Sequence, residues 1–542
     1  MNIKPIPRIP SSSRLSTLKG LLRNTVTAAD RSVINQFLVD GEKELQEFQV
    51  EISRLQTAIL ALEARREGLK QMMEKYRSLL SPIHRMPLEV LTNIFKFYCN
   101  VNVLEIGTLS PAMTLSAVCG KWRELTLNTP SLWASLSICY CSWEGYELEP
   151  LIQLTQLFME RSKTSPLTLD LDFFTSDFDE EEYDPKPPLA ILVQHSSRWY
   201  DVRWCFMREQ MNHPTFEPLR SHLPMLQYLD IRANDEGNPV DEDDTWDLFS
   251  DCPCLHTVTL LSMGFPLSDT ILLPWQQITV LTVDGNLVKI FRILSHCPSL
   301  RQLKLPSMGK LSTGHLYDVQ SQELLSLSFK ASNAKDLSFL PYLMAPQLTS
   351  IGIQGGYFGR RNRGFDRWDE KPLTGFLARS SCSITILRLQ WLPITDTQTT
   401  LLLGLMPTLR VLSIWECTHA NLAKNHVITP SFLNRLTVDH VGLDTVFLPQ
   451  LTELEFCVVN EDLDQRALLQ MLSSRWLPDH QNDHRADVNC LQSFSLIVVG
   501  KKEGPSPECF ALLQHFSNSG LRITTMYTHE VTSLALNFVH MH

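Results

Sequence analysis

The sequence lacks an apolar run long enough to cross a bilayer. Its longest charge-free stretch, Leu337 to Gly359, is interrupted by Pro341 and Pro346 and by glutamines, glycines and serines, whereas a spanning helix needs about 20 mainly apolar residues. It contains no Asn-x-Ser/Thr acceptor, and its 13 cysteines are an odd number spread over 542 residues. A disulfide framework and a secreted glycoprotein are both disfavoured. Basic charge is not in excess either. Lys+Arg 48 against Asp+Glu 59 leaves a net −11, which opposes binding to a nucleic acid backbone or an anionic membrane. There is no P-loop, no G-x-G-x-x-G after a strand, no G-x-S-x-G, no H-E-x-x-H and no Cys/His/Asn set suited to acyl transfer, so catalysis by the chain itself is not expected. Cofactor and metal are likewise not expected. Cys252-Pro-Cys254 and Cys297-Pro298 lack a Cys/His pair at zinc-site spacing and read as core positions, and His540-Met-His542 reads as a frayed tail.

What is present suits a large folded chain. Hydrophobic residues make up 44% and charged residues 20%, enough apolar surface for several cores. The length predicts roughly three to five structural units. The first 30 residues set Lys4, Arg8, Arg14, Lys19 and Arg23 against Asp30 and contain three prolines but no apolar core segment. They read as a disordered basic tail, and the chain as intracellular, cytoplasmic or nuclear.

From Asn35 to Leu80 there is no proline. Position a of a heptad falls on Leu38, Leu45, Ile52, Ile59, Arg66, Met73 and Leu80, and position d on Gly41, Phe48, Leu55, Leu62, Leu69 and Tyr76. This spacing predicts a coiled-coil helix over residues 31–80. Ile at a with Leu at d favours a two-stranded parallel assembly. Two partners for the seam remain open: a second copy, or another part of the same chain.

After Ser81-Pro82 comes Met86-Pro87-Leu88-Glu89-Val90-Leu91-Thr92-Asn93-Ile94-Phe95. Pro87 suits a first helical position and Glu89 the positive end of the helix dipole. Val90, Leu91, Ile94, Phe95 and Tyr98 then recur at helical spacing. A second helix is expected to carry Leu115, Val118, Trp122 and Leu125 on one face, before Leu132-Trp133. A module of about fifty residues this apolar needs a partner to bury its surface.

This stretch resembles the F-box family, the adaptor-docking module of SCF-type ubiquitin ligases. The match rests on Pro87, Glu89, Val90, Leu91, Ile94, Phe95, Val118, Cys119, Trp122, Leu132 and Trp133, with Met86 in place of the usual Leu. The resemblance implies that Pro87, Leu88, Val90, Leu91, Ile94, Phe95, Val118, Trp122, Leu125, Leu132 and Trp133 bind the adaptor or hold the shape that does. The order of rod, F-box and Ser-Leu-Trp also resembles fungal F-box proteins with a leading coiled coil.

The remaining two-thirds repeats L-x-x-L-x-L. Examples are Leu226/Leu229/Ile231, Leu255/Val258/Leu260, Ile278/Leu281/Val283, Leu300/Leu303/Leu305, Leu324/Leu327/Phe329 and Leu348/Ile351/Ile353. Ile384/Leu387/Leu389, Leu409/Leu412/Ile414, Leu433/Leu436/Val438, Leu451/Leu454/Phe456 and Leu491/Phe494/Leu496 follow, and Trp199/Val202/Trp204 is an earlier member. Most first positions lie about 22–29 residues apart, the period of leucine-rich repeats. A proline stands two residues before the first Leu at Pro224, Pro253, Pro298, Pro346, Pro407 and Pro449, where it ends the preceding turn and releases a strand. The chain here is similar to degenerate leucine-rich repeats, whose usual role is partner recognition.

The acidic runs 177–184 and 241–244 read as solvated loops, and the arginine-aromatic stretch from Gly355 to Trp368 as an exposed insertion. The expected architecture is a multidomain α plus α/β chain. A basic tail (1–30) and coiled-coil helix (31–80) precede a three-helix F-box (81–136) and a linker with an N-terminal cap (137–198). A leucine-rich-repeat solenoid (199–520), a horseshoe with a parallel sheet, leads to a C-terminal cap or tail (521–542). The expected function is a non-catalytic substrate receptor that joins an SCF adaptor, and through it cullin–RING, to a protein target. A non-degradative interaction scaffold is the alternative.

Overall fold

The computed structural model describes residue 22 and residues 26–528 apart from 144–145, 174–185, 208–213, 221, 235–245, 264–270, 309–315, 356–367, 417–425, 441–444, 459–462, 477–487 and 500–506. The expected basic tail is thus almost wholly outside the described residues. The same holds for the acidic runs 177–184 and 241–244, most of the arginine-aromatic insertion, and His540 and His542. The chain divides into two compact units, residues 1–91 and 92–542, and the division falls inside a helix.

The first unit is dominated by α1, Ala28–Leu79, one uninterrupted helix of 52 residues. Thr27 caps it. The Thr27 hydroxyl and amide both donate to the Asp30 carboxylate (2.6 and 3.0 Å) and hold its pKa below the ordinary value, while the Asp30 amide donates back to the Thr27 oxygen. This is a capping box. The helix ends where the Leu80 amide turns back to the Arg77 carbonyl, and a 3-10 turn, Pro82–Arg85, follows. Ion pairs such as Arg54–Glu51 (2.9 Å) line its surface, but exposed pairs contribute little. None of its residues is buried.

In the second unit almost every strand belongs to one sheet. The early strands are β1 Asn102–Val103, β2 Ser135–Cys139, β3 Leu167–Asp172, β4 Trp199–Met207, β5 Tyr228–Asn234 and β6 Thr257–Met263. Next come β7 Val280–Val283, β8 Gln302–Leu305, β9 Val319–Gln320, β10 Ser326–Ala331, β11 Leu343–Met344 and β12 Ser350–Gly355. The last are β13 Ile386–Gln390, β14 Val411–Trp415, β15 Glu453–Val458, β16 Ser493–Val499 and β17 Arg522–Thr528. Fifteen of them form a parallel sheet in chain order, with β1 and β17 as its edges, while β9 and β11 pair separately. The sheet therefore begins ahead of residue 199 and runs on past residue 520. Trp133/Leu136/Ile138 carries the same L-x-x-L-x-L spacing as the later repeats, with Trp as the first member.

The middle Leu of each repeat forms one row across the strands. Leu136, Leu169, Val202, Leu229, Val258, Leu281, Leu303, Leu327, Ile351, Leu387, Leu412, Leu454 and Phe494 are register partners in turn, and all are buried. Each such side chain contributes roughly 1.5–3 kcal/mol by leaving water. Connecting segments cover this face, as Trp204 on Phe216 (4.7 Å), Phe329 on Phe339 (5.2 Å) and Phe432 on Phe456 (6.4 Å) show.

The six prolines take one role. In each case the amide of the first Leu donates to the carbonyl of the residue before the proline, as in Leu255 to Cys252 and Leu409 to Met406. Proline thus sits second in a four-residue turn, the position its fixed φ favours.

Leu433/Leu436/Val438 departs from expectation. Pro430–Leu436 is a helix, capped by the Thr429 oxygen accepting from the Phe432 amide (3.2 Å), and β14 pairs directly with β15. The i, i+3 leucines fit a helix face as well as a strand entry, and Thr-Pro at N-cap and N1 decided for the helix. Arg475, at the end of the helix Gln465–Arg475, is fully buried. Its guanidinium donates to the carbonyls of Leu436 (2.6 Å), Leu448 (3.0 Å) and Phe447 (2.6 Å), and burial lowers its pKa to about 10.

Candidate docking surface

The helix shared by both units is α2, Leu88–Tyr98. The Leu91 amide makes its first turn by donating to the Pro87 carbonyl (3.1 Å). Leu91, Phe95 and Cys99 recur at i, i+4, i+8 and are buried, Leu91 to 0% exposure. Leu88, Val90, Ile94, Phe97 and Tyr98 belong to the rest of the circumference and are exposed, Ile94 at 46% and Phe97 at 86%. Glu89, Thr92, Asn93 and Lys96 share the polar side of α2, and of its apolar side one strip is buried while the rest is open.

Behind α2 lie α3, Pro111–Val118, and α4, Gly120–Leu127. The single helix expected through Leu115, Val118, Trp122 and Leu125 is therefore two. Cys119 is extended (φ −158, ψ 170) and serves as the N-cap of α4, and Gly120 beside it is a weak helix former. Phe95 packs edge-on against Trp122 at 4.8 Å. Trp133 is fully buried, donates its indole N–H to the Thr126 carbonyl (2.9 Å), and is covered by Phe158 (5.0 Å) and the Arg161 guanidinium (4.4 Å).

Asn102 ties these pieces together. It is fully buried; its side-chain amide donates to the carbonyls of Leu132 and Ser135 (both 2.9 Å), and its oxygen accepts from the Ala112 amide (3.0 Å). The strand β1, the start of α3 and the Leu132–Ser135 segment are joined at one side chain. A polar residue alone in the apolar run Val101-Asn-Val-Leu was the available signal.

The expected docking residues sort by depth. Pro87, Leu88, Val90, Ile94 and Val118 are exposed, and Trp122 and Leu125 are half-buried. Leu91, Phe95, Leu132 and Trp133 are interior, so they bear on docking only through the shape they hold. Phe97, Tyr98 and Leu109, absent from the expected set, add exposed apolar surface.

A family model for F-box-like domains matches residues 83–139. Residues 83–139 are an F-box-like domain. The match ends at Cys139, the last residue of β2, so this domain contains the first full strand of the large sheet. A comparison of the whole chain with curated proteins finds no match.

The sheet's other face is charge-segregated. Near its start Arg203 lies 3.1 Å from Asp230 and 3.7 Å from Asp170, and Arg232 lies 2.9 Å from Asp230. The Asp201 carboxyl is pushed up, chiefly by burial, with Arg203 opposing and Asp230 and Asp170 adding to it. Strands β8, β10, β12 and β13 contain no acid at all. Their charged residues are Lys304, Lys330 and Arg388, half-buried and alternating with the buried Leu side. Register aligns Lys304, Ser328, Gly352 and Arg388 in one row, which at about 4.8 Å per strand spans about 14 Å. Burial lowers the Lys304 pKa. Farther on, the Ser413 hydroxyl donates to Glu455 (2.6 Å), and acids return.

Among the described residues no group of three or more His, Cys, Asp or Glu side chains is placed to hold a metal. Cys252 and Cys297 are buried, which pushes both thiols up to about 12, and Cys254 is exposed. No helix among the described residues is long and apolar enough to cross a membrane.

Proposed function

We propose that this protein is the substrate-recognition subunit of an SCF-type ubiquitin ligase. The observation that carries the reading is the open apolar face of α2, with Val90, Ile94 and Phe97 exposed, inside an F-box-like domain. That face docks the adaptor, and cullin–RING follows through it. Leu91, Phe95, Leu132 and Trp133 act beneath it as supports. The chain is intracellular and itself non-catalytic. It works by proximity, raising the effective concentration of a target at the site where other subunits transfer ubiquitin.

We read the parallel sheet as a leucine-rich-repeat solenoid and its polar face as the target surface. Lys330 and Arg388, on strands without an acid, suit an acidic segment of a protein target, since like charges on one face steer and hold the opposite charge. The long helix α1 is read as a coiled-coil segment.

The deciding experiment is co-purification of the tagged full chain with adaptor and cullin, comparing wild type with Val90→Asp/Ile94→Asp. Carboxylates on this face should abolish a dry contact, while the melting temperature stays within about 2 °C because both sites are solvent-exposed. Leu91→Asp, by contrast, should unfold the domain. Wild type that retains no adaptor, or a double variant that retains it fully, would end the ligase reading. A non-degradative scaffold would then lead, and a target that does not accumulate on deletion would agree with it.

A further inference from the structure

The helix α1 runs unbroken for 52 residues, presents its heptad seam along its length and buries none of its residues. Its two halves carry opposite charge. Residues 28–53 hold six acids and two bases, a net −4, and residues 54–79 hold three acids and six bases, a net +3. A parallel pair would set like halves together and would face Arg65 at g with Lys70 at the following e. An antiparallel pair sets each acidic half on a basic one.

The seam also has two misfits, Arg66 at a and Gly41 at d. Glycine weakens a helix relative to alanine. Nothing among the described residues calls for it at residue 41, because a Cβ there would meet none of their atoms within 4 Å. In an antiparallel pair each a position packs on a d position of the other helix. When Ala28 of one copy lies level with Leu79 of the other, Leu38 meets Leu69, Ile52 meets Leu55 and Arg66 meets Gly41. The missing side chain leaves room for the Arg66 stem to cross the seam and carry its charge to water. On the flank Glu44 lies beside Arg65.

We propose that α1 pairs with α1 of a second copy of this chain, antiparallel and in full overlap. The register gives Arg66 and Gly41 to each other, fills the other layers from Ile34 to Met73 with apolar side chains, and leaves Arg31 opposite Tyr76 near each end. The two chains leave the pair at opposite ends, about 78 Å apart. This inference rests on the coiled-coil reading of α1 and is independent of the adaptor reading.

The test uses the full chain with p-benzoylphenylalanine at position 38 in place of Leu38, together with sedimentation equilibrium. Two chains per particle are expected, with photo-crosslinks to the peptide that holds Leu69. Positions 38 and 69 lie about 46 Å apart on one helix, so that crosslink must join two copies. Crosslinks from 38 to the region of 38 itself would mean a parallel pair and overturn the proposal, as would a monomer at micromolar concentration. Glu44→Arg should weaken dimerisation by about tenfold, from two symmetric pairs turned repulsive, and Glu44→Arg/Arg65→Glu should restore it. A double variant as weak as the single one would refute the register. The Val90→Asp/Ile94→Asp chain should still dimerise, so loss of adaptor and loss of pairing are separate outcomes.

Discussion

The rod and the sheet use the same aliphatic residues to opposite ends. In α1 a row of Leu and Ile runs along one helix and none of it is buried. In the sheet another aliphatic row runs across the strands, from Leu136 to Phe494, and all of it is buried. The difference is where the partner comes from. Each strand finds the next one about 25 residues later in its own chain, so stability accumulates repeat by repeat. A straight helix cannot cover its own seam, and its burial must be completed by something else. Stability of the sheet is therefore local and intramolecular, whereas that of the rod, if α1 pairs as proposed, depends on concentration.

The largest expected break in this contrast is at Arg475. Arg475→Ala removes the donor to two buried carbonyls and a part-buried one, and the second unit should lose about 3–9 kcal/mol, at about 1–3 per orphaned group; equilibrium denaturation of the full chain reads it. Next is a matched pair, Leu387→Ala in the sheet and Leu55→Ala in the rod. The first should cost about 2–5 kcal/mol of unfolding free energy. The second should leave the sheet's melting unchanged and alter only the sedimentation behaviour. Equal effects on the sheet transition would contradict the division between the two regions.

At the join, Asn102→Ala removes one buried side chain that serves two carbonyls and an amide. A loss of about 2–3 kcal/mol is expected, with weaker adaptor retention although Asn102 is not on the surface. Adaptor retention at the wild-type level in a destabilised domain would show that the docking face does not depend on this junction.

The smallest effect concerns Asp201. Its carboxyl is raised above the ordinary aspartate value, mainly by burial, so the folded chain holds the proton more readily than the unfolded one. The stabilisation this brings is present below the unfolded value and is lost as pH rises through the folded value. Asp201→Asn should therefore raise the melting temperature slightly at pH 7, and the gain should shrink towards pH 4. An unchanged difference across that range would exclude titration of Asp201 as its cause.

Several features were legible because they depend on local spacing alone. The absence of proline from Asn35 to Leu80 and the 3.5-residue period marked one long helix, whose start at Ala28, capped by Thr27 with Asp30, lies three residues before the expected one. Pro87 with the apolar positions after it marked α2, and proline before six of the L-x-x-L-x-L repeats marked the turns into strands. Leu433 and Leu436 show the limit of such reading. An i, i+3 pair suits both a strand entry and a helix face, and the Thr429 cap outweighed the repeat pattern.

Which residues lie inside was decided by the fold. Leu91 and Ile94 are equally apolar and three residues apart, yet one is fully buried and the other is exposed. Asn102 and Arg475 look like surface residues in a list of sequence, and both became buried donors because distant carbonyls converge on them. By itself the sequence determined periods, caps and turns, which follow from bonds and contacts within a few residues. Only the tertiary structure decided depth, polar satisfaction and the open face, since each depends on chain segments tens of residues apart meeting at one point.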